Sequence, residues 1–257
     1  LNYKDVINSS SKFDLVIIGT PPKTHISLYR KCLKRIKYKK LLIEKPLTNY
    51  TNNQFFNFAK TVNKNNIFCG YNHSVSKSFL FFYKELIKIK NLNQINVDWR
   101  ENWDGILNAH FWLKNEFGSY LGNLNDGGGA LQEHSHGLHL LILILKTKNI
   151  NLKNIKFQTN KIYNKNLYDL YFSLTGIKKG IFFNYQTDLV SKPSTKKIEV
   201  SDGSNCLKLI FNYDLNKDVV IKYKNNNQMY KKYFKKTRSS EFENEIKYLI
   251  QYKSKKE

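Results

Sequence analysis

Apolar and polar positions alternate between strand-like and helix-like patterns over the first seventy residues. "FDLVIIGT" (13–20) is a short run rich in β-branched residues that ends in Gly19 and Thr20, and it predicts a buried strand. "KTHISLYRKCLKRIKYKK" (23–40) carries Ile26, Tyr29, Leu33 and Ile36 at helical spacing. "LLIEKP" (41–46) predicts a second strand, stopped by Pro46, and "IFCGYN" (67–72) a third. Between these two, Thr48 is the expected N-cap of a helix whose apolar face is Phe55, Phe58, Ala59 and Val62. Such a β-α-β-α-β order predicts a parallel sheet with right-handed crossovers, whose ligands lie beyond the carboxyl ends of the strands. Here those ends are residues 19–22, 44–46 and 70–72.

The rest of the chain has a different texture. A helix is expected over 76–90 and a strand over 95–100, followed by a loop rich in aromatics and asparagine that leads to Gly127, Gly128 and Gly129. After the helix opened by that triplet come alternating runs at 168–175, 179–185, 196–200 and 206–212. In the first of these Leu170, Phe172 and Leu174 face one way and Asp169, Tyr171 and Ser173 the other, the period of a half-exposed strand. The pattern predicts an open, largely antiparallel sheet with helices on one face, closed by a helix over 239–252 with Ser240 as its cap. The fold class is therefore α/β, with a parallel unit over 1–72 followed by an α+β domain over 73–257.

Composition narrows the function classes. The 257 residues are 41% hydrophobic, enough for a sizeable core. The formal charge of +23 would favour nucleic acid if it were clustered, but lysines are spread through nearly every segment and no nucleic-acid motif accompanies them. Nucleic-acid binding is not expected. Three cysteines, Cys32, Cys69 and Cys206, are odd in number and far apart, which argues against a disulfide framework and for a reducing, cytoplasmic setting. Leu138–Leu145, the most apolar stretch, is well short of the roughly 20 residues that span a bilayer.

One segment combines both textures. "GGGALQEHSHGLHLLILIL" (127–145) is apolar, yet it opens with Gln132, Glu133, His134, His136 and His139, which are costly to bury unpaired. On a continuous helix Gln132, His136 and His139 share a face, expected to point at Lys45 and Asn72, while Leu131, Leu138, Leu141 and Leu145 pack inward. His134 and His136 would project about 200° apart on such a helix, so a three-histidine zinc site is not expected.

The motifs "DLVIIGTPPKTH", "LLIEKPLT", "IFCGYN" and "GGGALQEHSH", in this order and spacing, resemble the Gfo/Idh/MocA family of oxidoreductases, the relatives of glucose-fructose oxidoreductase and inositol dehydrogenase. The resemblance spans roughly residues 1–250. It implies that residues 1–72 are the C-terminal half of a Rossmann domain binding NAD or NADP, and that a sugar or cyclitol is held against the α+β domain. By the same resemblance Lys45 polarises the reacting hydroxyl and His136 exchanges its proton; the X-Pro bond after Lys45 can be cis, which would fix the direction of Lys45. Relatives carry Asp four residues before this histidine. Here Gln132 occupies that place and Glu133 is three before His136, so either is a candidate for the catalytic set. Thr20, Pro21, Pro22, His25, Glu44, Lys45, Pro46 and Asn72 are expected to border the dinucleotide, and Trp99, Arg100, Trp103 and His139 the substrate. No metal is implied.

The family's Gly-x-Gly-x-x-Gly turn does not occur in the chain, so the sequence is expected to be a piece of a longer protein, shortened at its N-terminus and also at its C-terminus. Assembly into a homo-oligomer through the open sheet is expected of the whole. The alternative reading is a non-catalytic sugar-binding or partner protein that keeps the fold without the cofactor.

Overall fold

The computed structural model describes residues 11–49, 66–109, 113–152, 155–165 and 167–252. The expected helix face of Phe55, Phe58, Ala59 and Val62 lies outside the described residues.

Three parallel strands, β1 (Lys12–Ile18), β2 (Lys37–Glu44) and β3 (Ile67–Gly70), form the first sheet in the order β1-β2-β3. Helix α1 (His25–Arg35) links the first two. It stops five residues earlier than the apolar spacing predicts, because Ile36 is extended and Lys37 already pairs with Lys12 of β1. Sheet pairing here overrides the local helical pattern. The buried face of α1 is accordingly Ile26, Tyr29 and Cys32, while Leu33, assigned to that face from sequence, is 46% exposed.

The second sheet has eight strands in the order β11-β10-β9-β8-β4-β7-β6-β5. They are β4 (Gln94–Arg100), β5 (Gln158–Asn164), β6 (Tyr168–Lys178), β7 (Ile181–Asp188), β8 (Thr195–Ser201), β9 (Asn205–Asp214), β10 (Lys217–Lys224) and β11 (Asn227–Lys235). All neighbours are antiparallel except β4 and β7. The run expected from residue 179 begins two residues later, since Lys179 and Gly180 both have positive φ and make the hairpin turn.

Helices α2 (Lys77–Ile87) and α5 (Ser135–Thr147) cover one face of this sheet. Phe79, Phe82 and Leu86 of α2 and Leu140, Leu141, Ile144 and Leu145 of α5 pack on Ile95, Val97, Trp99, Phe183, Tyr185 and Leu209. Alternate residues of β4 supply that core, which puts Trp99 inward and Arg100 on the other face. Short helices α3 (Trp103–Ala109) and α4 (Ala130–Glu133) precede α5, and α6 (Arg238–Gln251) closes the chain. Its cap is Thr237. Ser240, the expected cap, is instead the reciprocal member of a capping box. No described helix is long and apolar enough to cross a membrane.

Candidate active site

The carboxyl ends of the parallel strands open on a cleft of about 630 Å³ whose far wall is the covered face of the large sheet. Gly19, Thr20 and Pro21 follow β1, Glu44 and Lys45 end β2, and Asn72 and His73 follow β3; Glu133, His134 and His136 face them.

The glycine triplet sets the position of that second wall. Gly127 and Gly129 have φ of +99° and +96°, in the region glycine tolerates, and a Cβ on Gly128 would stand 2.2 Å from the carbonyl oxygens of Tyr120 and Leu121. Gly129, the N-cap of α4, has no side chain to cap it. Asp169 of β6 reaches across and accepts from the Leu131 N–H at 2.8 Å. The sequence pattern read this segment as one helix, but α4 ends at Glu133 and α5 starts at Ser135, with His134 (φ −96°, ψ 19°) between them. The break rotates the register, so His134 and His136 both line the cleft instead of diverging. It also removes Gln132 and His139 from that lining. Gln132 is buried elsewhere, and His139 stacks on Tyr71 with ring centroids 4.2 Å apart. Of the four leucines expected inward, Leu141 and Leu145 are fully buried and Leu131 and Leu138 pack at the core's margin.

Lys45 precedes Pro46 through a cis peptide bond. Its Nζ donates to the Glu133 carbonyl oxygen at 2.6 Å and to Glu133 Oε2 at 3.1 Å, and both side chains are largely buried. Glu44 lies against Gly70, where a Cβ would stand 2.9 Å from its carboxylate. Burial raises the Glu44 pKa against the opposing effect of Lys45. Burial, and then the Glu44 charge, push Glu245 of α6 up to about 7. On the opposite wall Lys196 donates to Glu101 at 2.7 Å.

Burial holds His134 and His136 well below the ordinary histidine value, with Lys45 and Lys196 adding to the effect on each, and carries His139 down to about 4. His136 Nδ1 is buried without a hydrogen-bond partner. Its ring meets those of Tyr71 at 5.6 Å and His73 at 4.7 Å, both edge-on.

The other sequence-derived candidates separate into two groups. Thr20, Pro21, Glu44, Asn72 and Trp99 line the cleft. Pro22 and Pro46 lie beneath it against Gly127, and His25 is a fully buried clasp with Nε2 2.6 Å from the Thr20 carbonyl oxygen and Nδ1 3.1 Å from that of Leu47. Arg100 pairs with Asp98 on the other face of β4. Trp103 donates to the Tyr168 hydroxyl at 3.2 Å in a separate apolar cluster. Sequence reasoning missed His73, Glu101, Lys196, Lys236 and Glu241. His73 adjoins "GYN" and was within reach, but the others meet it only through long-range packing. Among the described residues no group of three or more His, Cys, Asp and Glu side chains is placed to hold a metal ion.

The residues present fit a nicotinamide at the carboxyl ends of the strands. Asn72 Oδ1 is buried there without a partner, an acceptor that an amide N–H would satisfy. Residues 1–73 match the model of the Gfo/Idh/MocA oxidoreductase family, described as an NAD-binding Rossmann fold. The parallel unit of the chain thus resembles that family. The fold of the whole chain is similar to that of KijD10, a 3-ketoreductase from Actinomadura kijaniata solved with NADP and TDP-benzene, at a TM-score of 0.71 and 14% identity over 97% of this chain and 73% of that one. An NAD-binding oxidoreductase from Klebsiella pneumoniae gives 0.72 and 14% over 97% and 73%. UDP-N-acetylglucosamine 3-dehydrogenase GnnA from Acidithiobacillus ferrooxidans gives 0.63 and 11% over 92% and 68%. No curated protein matches this chain in sequence.

Proposed function

We propose that the chain moves hydride between a nicotinamide dinucleotide, NAD or NADP, and a ring carbon of a sugar, interconverting hydroxyl and keto groups. The observation that carries this reading is Lys45, a largely buried ammonium at the carboxyl end of β2, in one cleft with Asn72 and His136. The substrate we favour is a nucleotide-linked sugar, since the similar folds include a ketoreductase solved with TDP-benzene and a UDP-sugar dehydrogenase. In this reading residues 1–72 hold the dinucleotide and residues 73–257 the substrate. A second copy covers the open sheet face, where exposed Ile177 and Phe182 pair across β6 and β7.

An ammonium has three N–H donors, and Glu133 takes two of those of Lys45. The third serves the substrate oxygen, stabilising the negative charge that grows there as the C–H bond breaks. Glu133 fixes the direction of the ammonium and offsets its charge. Thr20, Pro21 and Asn72 hold the nicotinamide end, which supplies the hydride acceptor or donor. His136 exchanges the hydroxyl proton, because a neutral imidazole in a dry wall is a base without the cost of a resident charge.

Titration with NADH and NADPH, followed by nicotinamide fluorescence, tests the cofactor. Incubation with NAD or NADP and UDP-N-acetylglucosamine or dTDP-glucose, followed by absorbance of the reduced nicotinamide, tests the reaction. In a protein that also carries a Gly-x-Gly-x-x-Gly half, saturable cofactor binding with turnover of a sugar nucleotide is expected. Binding of sugar nucleotide without either cofactor would replace this reading with that of a non-catalytic binder.

A further inference from the structure

The cleft holds a second titratable pair. His73 sits in the 3-10 turn Asn72–Val75 directly after β3, and Glu241 lies in the first turn of α6. Nδ1 of His73 is 3.3 Å from Glu241 Oε1, an ion-pair contact not yet aligned as a hydrogen bond, and both side chains are largely buried. The His73 ring is boxed edge-on by Trp99 and Phe211, each at 5.1 Å, and by His136 at 4.7 Å. Glu241 is held in turn by Lys236 at 3.0 Å, which stands 2.8 Å from the buried Asp218. Although burial alone would raise it, His73 and Lys236 hold the Glu241 carboxyl down to about 2.

His136 is placed differently. Its Nδ1 has no partner, and the charges acting on it are those of His73, Lys45, Lys196 and His139, all cationic when protonated. Nothing there stabilises an imidazolium, so a proton taken by His136 has to leave it. The imidazole beside it has a fixed carboxylate.

We propose that His73, oriented through Nδ1 by Glu241, is the group that keeps the proton released in this cleft, with Glu241 as its positioning residue. The inference rests on the oxidoreductase reading above. With Nδ1–H directed at the carboxylate, the lone pair is on Nε2. In oxidation the O–H bond breaks and its proton reaches His73 Nε2 by way of His136 or a water. The O–H electron pair becomes the second C–O bond as hydride leaves carbon for the nicotinamide ring. The product state then pairs an imidazolium with Glu241, as in a histidine–carboxylate dyad. The titratable and charged groups around His73 are His136 of α5, Glu241 of α6 and Lys236, with Lys45, Glu133, Lys196 and Glu101 across the cleft. Among the described residues only Glu241 is in ion-pair contact with His73.

The test compares the full chain with Glu241→Gln and Glu241→Asp by two readouts. One is the ring-nitrogen NMR spectrum of the labelled histidines; the other is the pH profile of kcat and KM with NAD or NADP and UDP-N-acetylglucosamine as probe. Removing the carboxylate that faces Nδ1 should change the His73 ring-nitrogen shifts, which report its tautomer, and move the acidic limb of kcat. The kcat plateau should fall about ten-fold or more with KM little changed, and Glu241→Asp should restore much of both. An unmoved limb, or equal losses in kcat and affinity that Asp does not rescue, overturns the proposal. Absence of turnover in the wild-type chain would count against the functional reading. The NMR spectra then decide this inference alone: His73 ring-nitrogen shifts unchanged in Glu241→Gln overturn it, and a changed tautomer upholds the dyad.

Discussion

The Lys45 ammonium donates at 2.6 Å to the backbone carbonyl oxygen of Glu133 and stands 3.1 Å from the same residue's carboxylate, joining the end of β2 to the break between α4 and α5. This contact holds the parallel sheet and the histidine-bearing helix at one separation. It predicts a division of labour between charge and position.

Lys45→Met should lower kcat about 10²-fold to 10³-fold, the usual effect of removing one preorganised donor to a developing oxyanion, while dinucleotide affinity stays within a few-fold. Glu133→Gln keeps the carbonyl contact and should have a smaller effect on kcat. The measurements are steady-state turnover and cofactor fluorescence on each variant. Equal losses of affinity and turnover in Lys45→Met would make Lys45 a structural tie.

A second prediction concerns pH and the carboxylates behind the cleft. Glu245 is raised to about 7 in the folded chain by burial and the Glu44 charge. A carboxyl raised on folding stabilises the fold below its unfolded pKa, and that contribution is lost as pH climbs through the folded value. Stability from Glu245 should therefore fall between about pH 4.5 and pH 7, by an amount on the order of 3 kcal/mol. Glu241, held down to about 2, acts oppositely and its contribution is lost only as pH falls below the normal carboxylate range. Thermal melts should show Glu245→Gln several degrees above wild type at pH 8 and equal to it near pH 5. Parallel curves for the two proteins would contradict the assignment.

A third prediction uses the glycines. A Cβ at Gly128 would stand 2.2 Å from two backbone carbonyl oxygens, atoms that cannot move aside cheaply. Gly128→Ala should cost more than the roughly 1–3 kcal/mol of ordinary overpacking and should displace Glu133 from Lys45. Gly180 (φ +73°) has open space around its Cβ position, so Gly180→Asn, which tolerates that backbone, should be within about 0.5 kcal/mol of wild type. Denaturant midpoints of the two variants give the comparison.

The strand ends of the parallel sheet were legible in the sequence because β-branched runs broken by Gly-Thr, Lys-Pro and Gly-Tyr-Asn report locally on where a strand stops. They led directly to Lys45 and Asn72 in one cleft. The break at His134 was not legible, since the apolar spacing of residues 130–147 fits one continuous helix, whereas the contacts of its first turn with Asp169 and the tight glycine packing are long-range. That error put Gln132 and His139 in the cleft and left His134 out. His73 and Glu241 meet only because α6 packs on the turn Asn72–Val75 that follows β3, a long-range contact that no periodicity announces. Arg100 was misplaced for a simpler reason: it follows Trp99 on a strand, and adjacent strand residues face opposite ways.

The last prediction tests what brings α6 back. Lys40, on β2, donates its Nζ to the carbonyl oxygens of Leu249, Ile250 and Tyr252, with the Ile250 contact at 3.0 Å. The final carbonyls of a helix have no partner within it and carry the negative end of its dipole, so a single ammonium there satisfies several acceptors at once. At its other end the helix is capped by Thr237 and carries Glu241, tied to Lys236. The two anchors are independent. Lys40→Met should therefore loosen the C-terminal turn first, raising amide exchange at residues 249–252 about ten-fold or more, for a loss of about 1.5–3 kcal/mol typical of charged hydrogen bonds. Exchange near Glu241, and the pH profile assigned to His73, should change little. If Lys40→Met shifts that profile as strongly as Glu241→Gln does, the helix behaves as one rigid lever, and the position of Glu241 depends on the parallel sheet rather than on its own cap.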